Sequence, residues 1–178
     1  MGKGAATARR MSDWHQYEPG DDPRVLRNAF GAFATGVTVV TCTDADGTPH
    51  GLTANSVTSV SLDPPLMLVC LAKAATSAAP LTQAAHFAFN ILTTEQRPAS
   101  ITFSTRVEDR FGQTKWEQGQ HGAPLLVGSL AQFECARHAV HDGGDHWILV
   151  GEIERARFEE GHDPLLYFRG KYRRLHFD

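Results

Sequence analysis

A mainly β domain, with antiparallel strands closed or nearly closed into a barrel, is what this sequence predicts, and three observations predict it. Short apolar and β-branched segments follow one another closely, separated by Gly, Pro, Asn and Asp turn signals. Helical periodicity is confined to a few short stretches, which do not alternate with the strands as a doubly wound parallel sheet requires. The GxGxxG fingerprint of a Rossmann fold is missing, so a nicotinamide nucleotide, if used, is bound without it.

The elements are read in order. Residues 1–22 mix small, charged and turn-forming types without periodicity, and are expected to be a loose leader before one domain over 23–178. Asp22 as N-cap and Pro23 at the first helical position open a short helix, on which Val25, Leu26, Ala29, Phe30 and Phe33 recur at three- and four-residue intervals up to about Gly36. Val37 to Thr43 reads as a strand, Asp44-Ala45-Asp46-Gly47 as a turn, and His50 to Val60 as the antiparallel return. After Asp63-Pro64-Pro65, the run Leu66 to Leu71 suits a strand buried on both faces. A helix over Thr76 to Ala84, a strand over Phe87 to Leu92, a helix over Thr93 to Ser104 interrupted by Pro98, and strands over Ser129 to Val140 and Trp147 to Phe158 complete the reading.

Composition narrows the class of function. A chain of 178 residues is ample for one hydrophobic core, and its 42% hydrophobic and 21% charged residues are those of an ordinary globular protein. A net charge of −3, with no basic cluster beyond Lys171 to Arg174, argues against nucleic acid as the main partner. No apolar run approaches the roughly 18–20 residues of a membrane span, and Ala5, Ala6 and Ala8 do not supply the apolar core of a signal peptide, so the expected compartment is the cytoplasm. Cys42, Cys70 and Cys135 are odd in number and far apart, which excludes a disulfide framework and a CxxC motif and leaves buried thiols.

One segment is poor core material. Between two strand-like runs stand Thr53, Ala54, Asn55, Ser56, Thr58, Ser59 and Ser61. Hydroxyls and an amide on adjacent positions can bind the polar edge of a flat heteroaromatic ring and a sugar-like chain, while small residues let the ligand approach the backbone; a flavin fits that description.

The ordered set TGVTVVT (Thr35 to Thr41), GLTANSVTSVSLDPP (Gly51 to Pro65), FAFNIL (Phe87 to Leu92), DRF (Asp109 to Phe111), GDHWILVGEI (Gly144 to Ile153) and PLLYFRGKY (Pro164 to Tyr172) resembles the short-chain flavin reductase family, the reductase components of two-component flavin-dependent monooxygenases. The similarity covers about Arg24 to Leu175. It implies an antiparallel Greek-key split β-barrel, FMN-binding in type, that forms a homodimer. It further implies binding of FMN or FAD, hydride transfer to it from NADH or NADPH, and release of reduced flavin to a partner monooxygenase.

On that resemblance Thr53, Ala54, Asn55 and Ser56 take the isoalloxazine edge and ribityl chain, with Ser61 nearby. The loop from Cys70 and Leu71 through Lys73 to Thr76 and Ser77 offers an ammonium, two hydroxyls and backbone amides to the flavin phosphate. Lys73 is equally a solvated surface lysine on its own chemistry. Arg110 is a second anion binder, or else a surface partner of Glu108 or Asp109. Gly144, Asp145 and His146 face the flavin in the family reading, with His146 at the nicotinamide, and Tyr172 closes the pocket or packs. His141, Asp142, Asp145 and His146 also offer metal-ligating types, yet no third cluster completes a first shell. No catalytic nucleophile is nominated, because hydride transfer needs stacking and electrostatics rather than side-chain acid–base chemistry. NADH is preferred, since no arginine pair is evident for a 2′-phosphate.

Two other functions remain in view. One is a flavin-binding protein or self-contained flavoenzyme with tightly held FMN; the other is a barrel that binds haem or a pyridoxal compound through His50, His86, His121 or His146. Apolar residues Pro124 to Val127 and Leu165 to Phe168 are the independent hint of a dimer.

Overall fold

The computed structural model describes residues 14–176. Of the expected leader, residues 1–13 lie outside the described residues, and residues 14–22 form neither helix nor strand. Helix α1 (Pro23–Phe30) begins as its sequence dictates, with the Arg24 N–H donating to the Asp22 carboxylate at 2.9 Å. It stops at Gly31 rather than near Gly36, and its apolar residues stay out of the core: Phe30 and Phe33 are 69% and 77% exposed. With no buried face to stabilise further turns, a helix this short ends at the first glycine.

Twelve strands follow: β1 (Thr35–Gly36), β2 (Thr38–Thr43), β3 (Pro49–Ala54), β4 (Val57–Leu62), β5 (Pro65–Ala72), β6 (His86–Ile91), β7 (Trp116–Gln118), β8 (Pro124–Leu126), β9 (Ala131–Gly143), β10 (His146–Phe158), β11 (Leu166–Phe168) and β12 (Lys171–Arg173). Seven of them pair antiparallel in the order β3-β2-β6-β9-β10-β5-β4. β1, β11 and β12 form a second small sheet, and β7 and β8 a hairpin.

The return strand expected over His50 to Val60 is two strands. β3 pairs with β2 from Thr43↔Pro49 to Thr38↔Ala54, the chain breaks at Asn55-Ser56, and β4 pairs instead with β5. β3 and β4 are therefore the outermost strands of the sheet although only two residues separate them in the chain, and no ladder joins them among the described residues. The sheet curls until its edges meet at Asn55-Ser56 and leaves them unpaired, which makes the barrel a split one.

The burial of individual strands also departs from expectation. β5 alternates, with Met67, Val69 and Leu71 inward and Leu66, Leu68 and Cys70 half-buried on the other face. Within the seven-stranded sheet the strands buried on both faces are β2 and β6, which sit inside it and are covered from outside by other elements. Val40, Cys42, Phe87, Phe89, Cys135 and Leu149 belong to the barrel core. Val37, Val39, Leu92, Phe103, Leu126 and Leu165 form a second core beneath helix α3 (Arg97–Ser104). Pro98 stands in the first turn of α3, where its missing N–H costs nothing, and a 3-10 turn over Thr94–Gln96 precedes it. The remaining helix is α2 (Ala78–Gln83).

Pro124, Leu125 and Leu126 do not supply a surface patch for dimerisation. They are buried in β8 against the rest of this chain, where the Pro124 carbonyl accepts from the Thr41 hydroxyl and the Leu126 N–H donates to Asn90 Oδ1 at 2.8 Å. Leu165 is likewise 3% exposed.

Candidate functional site

The split between β3 and β4 opens into a cleft of about 390 Å³. Its walls are the end of β3 with the Asn55-Ser56 joint, the end of β5, the loop into α2, and the chain from Phe103 to Arg110, with His146 at the rim. Thr53, Ala54, Asn55, Ser56, Cys70, Thr76, Ser77, Arg110 and His146 are the sequence-predicted residues that line it.

Hydrogen bonds hold these walls in place. The Ser56 hydroxyl donates to the Cys70 carbonyl at 2.8 Å, tying the joint to β5, and the Thr53 hydroxyl donates to the Ser100 carbonyl at 2.7 Å, tying β3 to α3. The Gly51 carbonyl accepts from both the Ser77 hydroxyl (2.9 Å) and Arg110 Nη1 (3.0 Å). Gly51 has to be glycine here, because a Cβ would lie 2.9 Å from the Phe103 ring and 3.2 Å from Thr41 Cγ2.

Arg110 is the most informative side chain of the site. It forms no ion pair with Glu108 or Asp109; Nη2 donates to the Thr105 carbonyl at 2.7 Å, and its buried Nε–H has no acceptor among the described residues. A guanidinium anchored on two carbonyls, with one donor unsatisfied and no carboxylate within ion-pair distance, is suited to an anionic ligand. A second cleft of about 590 Å³ shares Thr76, Ser77, Arg106 and Arg110 with the first and continues along His50, Gly51 and Val107 to Phe111. Both arginines thus stand where a planar ring system in one cleft would pass its phosphate to the other.

His146 follows the two-residue turn Gly144-Asp145 that joins β9 to β10, a turn that uses Gly144 at φ +78°. Its Nδ1 lies 2.6 Å from the Asp145 carboxylate, and this hydrogen bond, followed by the charge attraction between the two, holds the Asp145 carboxyl below its usual range. The imidazole is oriented by its neighbour while its other nitrogen stays available at the rim. Asp145 itself is 93% exposed and Gly144 is the turn, so neither lines the cleft.

Four further expectations fall elsewhere. Lys73 points away: its ammonium pairs with Asp142 and sits 4.4 Å over the Trp147 ring, lining a separate hollow with Arg137, and the hydrogen bond with Lys73 lowers the Asp142 pKa. Leu71 is wholly buried in the barrel core, since alternation along β5 turns it inward where Cys70 turns out. Ser61 lies near the far end of β4, its hydroxyl bonded to the Pro64 carbonyl. Tyr172 stands behind α3, 2.9 Å from the Ser100 hydroxyl and edge-on to Tyr167.

Ala72, Ala74 and Ala75 line the cleft as part of the Cys70 to Ser77 loop that the sequence offered to the phosphate, whereas Leu52, Phe103, Ser104, Thr105 and Arg106 were missed. Arg106, four residues before Arg110, was legible as a second cation in the same segment; Phe103 reads only as helix core. The metal-ligating residue types at His141 to His146, which the sequence did not assign to a metal, are engaged with other partners: Asp142 pairs with Lys73 and Asp145 with His146.

The donors present fit a flavin: hydroxyls and an amide for the ring edge and polyol, a small-residue loop for close approach, and an unsatisfied buried guanidinium donor for a phosphate. A split barrel with such a cleft defines a class of flavin-handling proteins. The profile of the flavin reductase like domain family matches residues 30–176, and the chain belongs to that family.

Relatives agree. The FMN reductase (NADH) of Agrobacterium fabrum is 46% identical over 93% of this chain and 94% of its own length. The reductase component of the flavin-dependent trigonelline monooxygenase of Acinetobacter baylyi is 48% identical over 84% of this chain and 48% of its own. Among solved structures, the NADH:FAD oxidoreductase of Streptomyces globisporus, in complex with NAD and FAD fragments, superposes with a TM-score of 0.87 at 40% identity, over 93% of this chain and 99% of that one. The chain spans only 48% and 65% of the length of two other relatives that are 51% and 49% identical to it.

Proposed function

We propose that this protein is an NADH-dependent flavin reductase that moves a hydride from the nicotinamide to FMN or FAD and supplies the reduced flavin to a partner monooxygenase. The observation that carries the reading is the cleft at the unpaired β3–β4 edge, with Arg110 presenting an unsatisfied buried donor beside hydroxyls and an amide. Family membership and the relatives named as NADH-dependent reductases and as a monooxygenase reductase component support it.

The flavin, when bound, accepts the hydride and one proton from solvent, and the nicotinamide leaves oxidised. The chain's own work is positional. Thr53, Asn55 and Ser56 hold the ring edge, Arg110 with Ser77 and Arg106 holds the phosphate, and His146, fixed by Asp145, orients the nicotinamide at the open rim. An open rim also lets flavin exchange, as a shuttling substrate requires. No residue is asked to act as acid, base or nucleophile.

The same reading includes a homodimer in the cytoplasm. The exposed edge strand β4, with Leu62 95% and Val60 48% exposed, supports pairing with a second copy, and three free cysteines suit a reducing compartment. No helix among the described residues is long and apolar enough to cross a membrane. The test is anaerobic loss of NADH absorbance by the purified chain with no flavin, with FMN and with FAD. Flavin-dependent oxidation is expected, and absence of oxidation with either flavin, using NADH and then NADPH, refutes the proposal.

A further inference from the structure

Outside both clefts, His86, His121 and Glu154 converge from three separate elements. His86 opens β6, His121 sits in the turn between β7 and β8, and Glu154 lies on β10. The two imidazole rings stack 4.1 Å apart and 15° from parallel. Nε2 of His121 is 3.3 Å, and Nε2 of His86 3.7 Å, from the same oxygen, Oε2 of Glu154, and all three atoms lie within 4.8 Å of one another. Each side chain is about one-third exposed, at 32%, 37% and 38%, so an ion can enter and water can complete its shell.

The backbone brings the donors together by identifiable means. Glu154 is the extra residue of a β-bulge: Ile153 faces Cys135 and Arg155 faces Glu134, the next residue back along β9, leaving Glu154 unpaired and its side chain re-aimed. The His121 turn is pinned at three points. Gly122 N–H donates to the Gly119 carbonyl at 3.1 Å, Gln120 N–H to the buried Glu134 carboxylate at 2.6 Å, and the Thr43 hydroxyl to the Gly122 carbonyl at 2.7 Å. A histidine on an ordinary exposed turn would have no such support.

The lone pair of each Nε2 lies in its ring plane, and both Nε2 atoms stand at the ring edges near Oε2 of Glu154, so a divalent cation at that shared edge would take all three donors at once. The set of two imidazole nitrogens and one carboxylate oxygen suits zinc and its neighbours among the transition ions, and does not suit calcium or magnesium. On a tetrahedral ion with bonds of roughly 2.0–2.1 Å, ligand atoms lie about 3.3 Å apart. The His121–Glu154 spacing already matches at 3.3 Å, and His86 at 3.7 Å closes by a small side-chain rotation.

We infer that His86, His121 and Glu154 form a binding site for a divalent transition-metal ion of the zinc type, tying the β7–β8 hairpin to the main sheet. The site is distinct from the flavin cleft, and its metal acts on stability rather than on hydride transfer. The experiment uses the full, untagged chain stripped with a chelator and titrated with Zn²⁺ by calorimetry, with Co²⁺ as a spectroscopic probe. One Zn²⁺ per chain, a raised melting temperature and the intense visible band of tetrahedral Co²⁺ are expected. His121→Ala and Glu154→Gln should each weaken Zn²⁺ binding roughly tenfold or more. His162→Ala, which removes an exposed histidine 2.6 Å from Glu159, should bind as the parent does. Flavin reduction by all three variants should stay at the parent rate. The inference is overturned if the parent shows no one-to-one binding and no tetrahedral Co²⁺ band, or if folded His121→Ala and Glu154→Gln bind Zn²⁺ as tightly as the parent.

Discussion

Replacing Arg110 with methionine tests the cleft at its most exposed assumption. Methionine keeps the apolar stem out to about the position of Nε but removes every donor: the bonds to the Gly51 and Thr105 carbonyls at 3.0 and 2.7 Å, and the unsatisfied Nε–H. A hydrogen bond from a charged donor contributes about 1.5–3 kcal/mol. Loss of one such bond to a flavin phosphate corresponds to roughly a 10- to 150-fold loss of affinity, at about 1.4 kcal/mol per factor of ten. The assay is fluorescence titration with FMN and with riboflavin, which has the same ring and polyol but no phosphate. The parent should prefer FMN by roughly that factor, and Arg110→Met should bind the two alike. Reading the ratio cancels any general loosening of the cleft that follows from losing the two carbonyl bonds. A variant that remains folded and keeps the parent's preference for FMN refutes the assignment of Arg110 to the phosphate.

Four further outcomes are expected. His146→Ala should raise KM for NADH or slow hydride transfer while leaving the flavin dissociation constant nearly unchanged, and unaltered steady-state kinetics with both nucleotides would remove His146 from the nicotinamide position. Burial pushes the Cys42 and Cys135 thiols up to about 12, so in native protein an alkylating reagent near pH 8 should label Cys70 alone, with added FMN slowing it; mass spectrometry reads the sites. These two raised thiol values also set an alkaline limit. Their neutral form is required by the fold, so stability is complete below the ordinary value of 9.0 and declines as pH rises toward about 12. Gly151→Ala would place a Cβ 2.5 Å from Phe87 Cζ and 2.8 Å from Cys135 Cβ, and overpacking of this kind costs about 1–3 kcal/mol; an unchanged denaturant midpoint would contradict the packing described.

Read one residue at a time, the chain revealed more of its fold than of its site. The strand segments of the seven-stranded sheet, the Asp22–Pro23 helix start, the Asp44 to Gly47 turn and the Gly144-Asp145 hairpin follow from local chemistry, because caps and turns are decided within a few residues. The Thr53 to Ser56 segment was legible as a binding edge for the same reason, since four adjacent small or polar residues have no use in a core. The resemblance to a flavin reductase gathered Arg110 and His146 to that edge, and both line the cleft.

What sequence alone determined is therefore the strand segments of the main sheet, with β3 and β4 read as one and the short strands β1, β7, β8, β11 and β12 unread, together with the turns, the polar break and the family. Tertiary structure decided which strand edges meet. β2–β3 and β4–β5 are local hairpins, and it is the nonlocal pairings of β2 with β6, β6 with β9 and β5 with β10 that put β3 and β4 at opposite edges of the sheet and leave the β3–β4 edge open as a cleft. It also decided side-chain direction. Alternation about the β5 pleat sends Cys70 to the cleft and Leu71 to the core, while Lys73, one residue past the strand, is drawn to Asp142 and Trp147 on the facing hairpin. Residues 33 or more positions apart, such as His86, His121 and Glu154, become neighbours only when β6, the β7–β8 turn and the bulge in β10 are folded together, because their contact depends on register and curvature that no local pattern encodes.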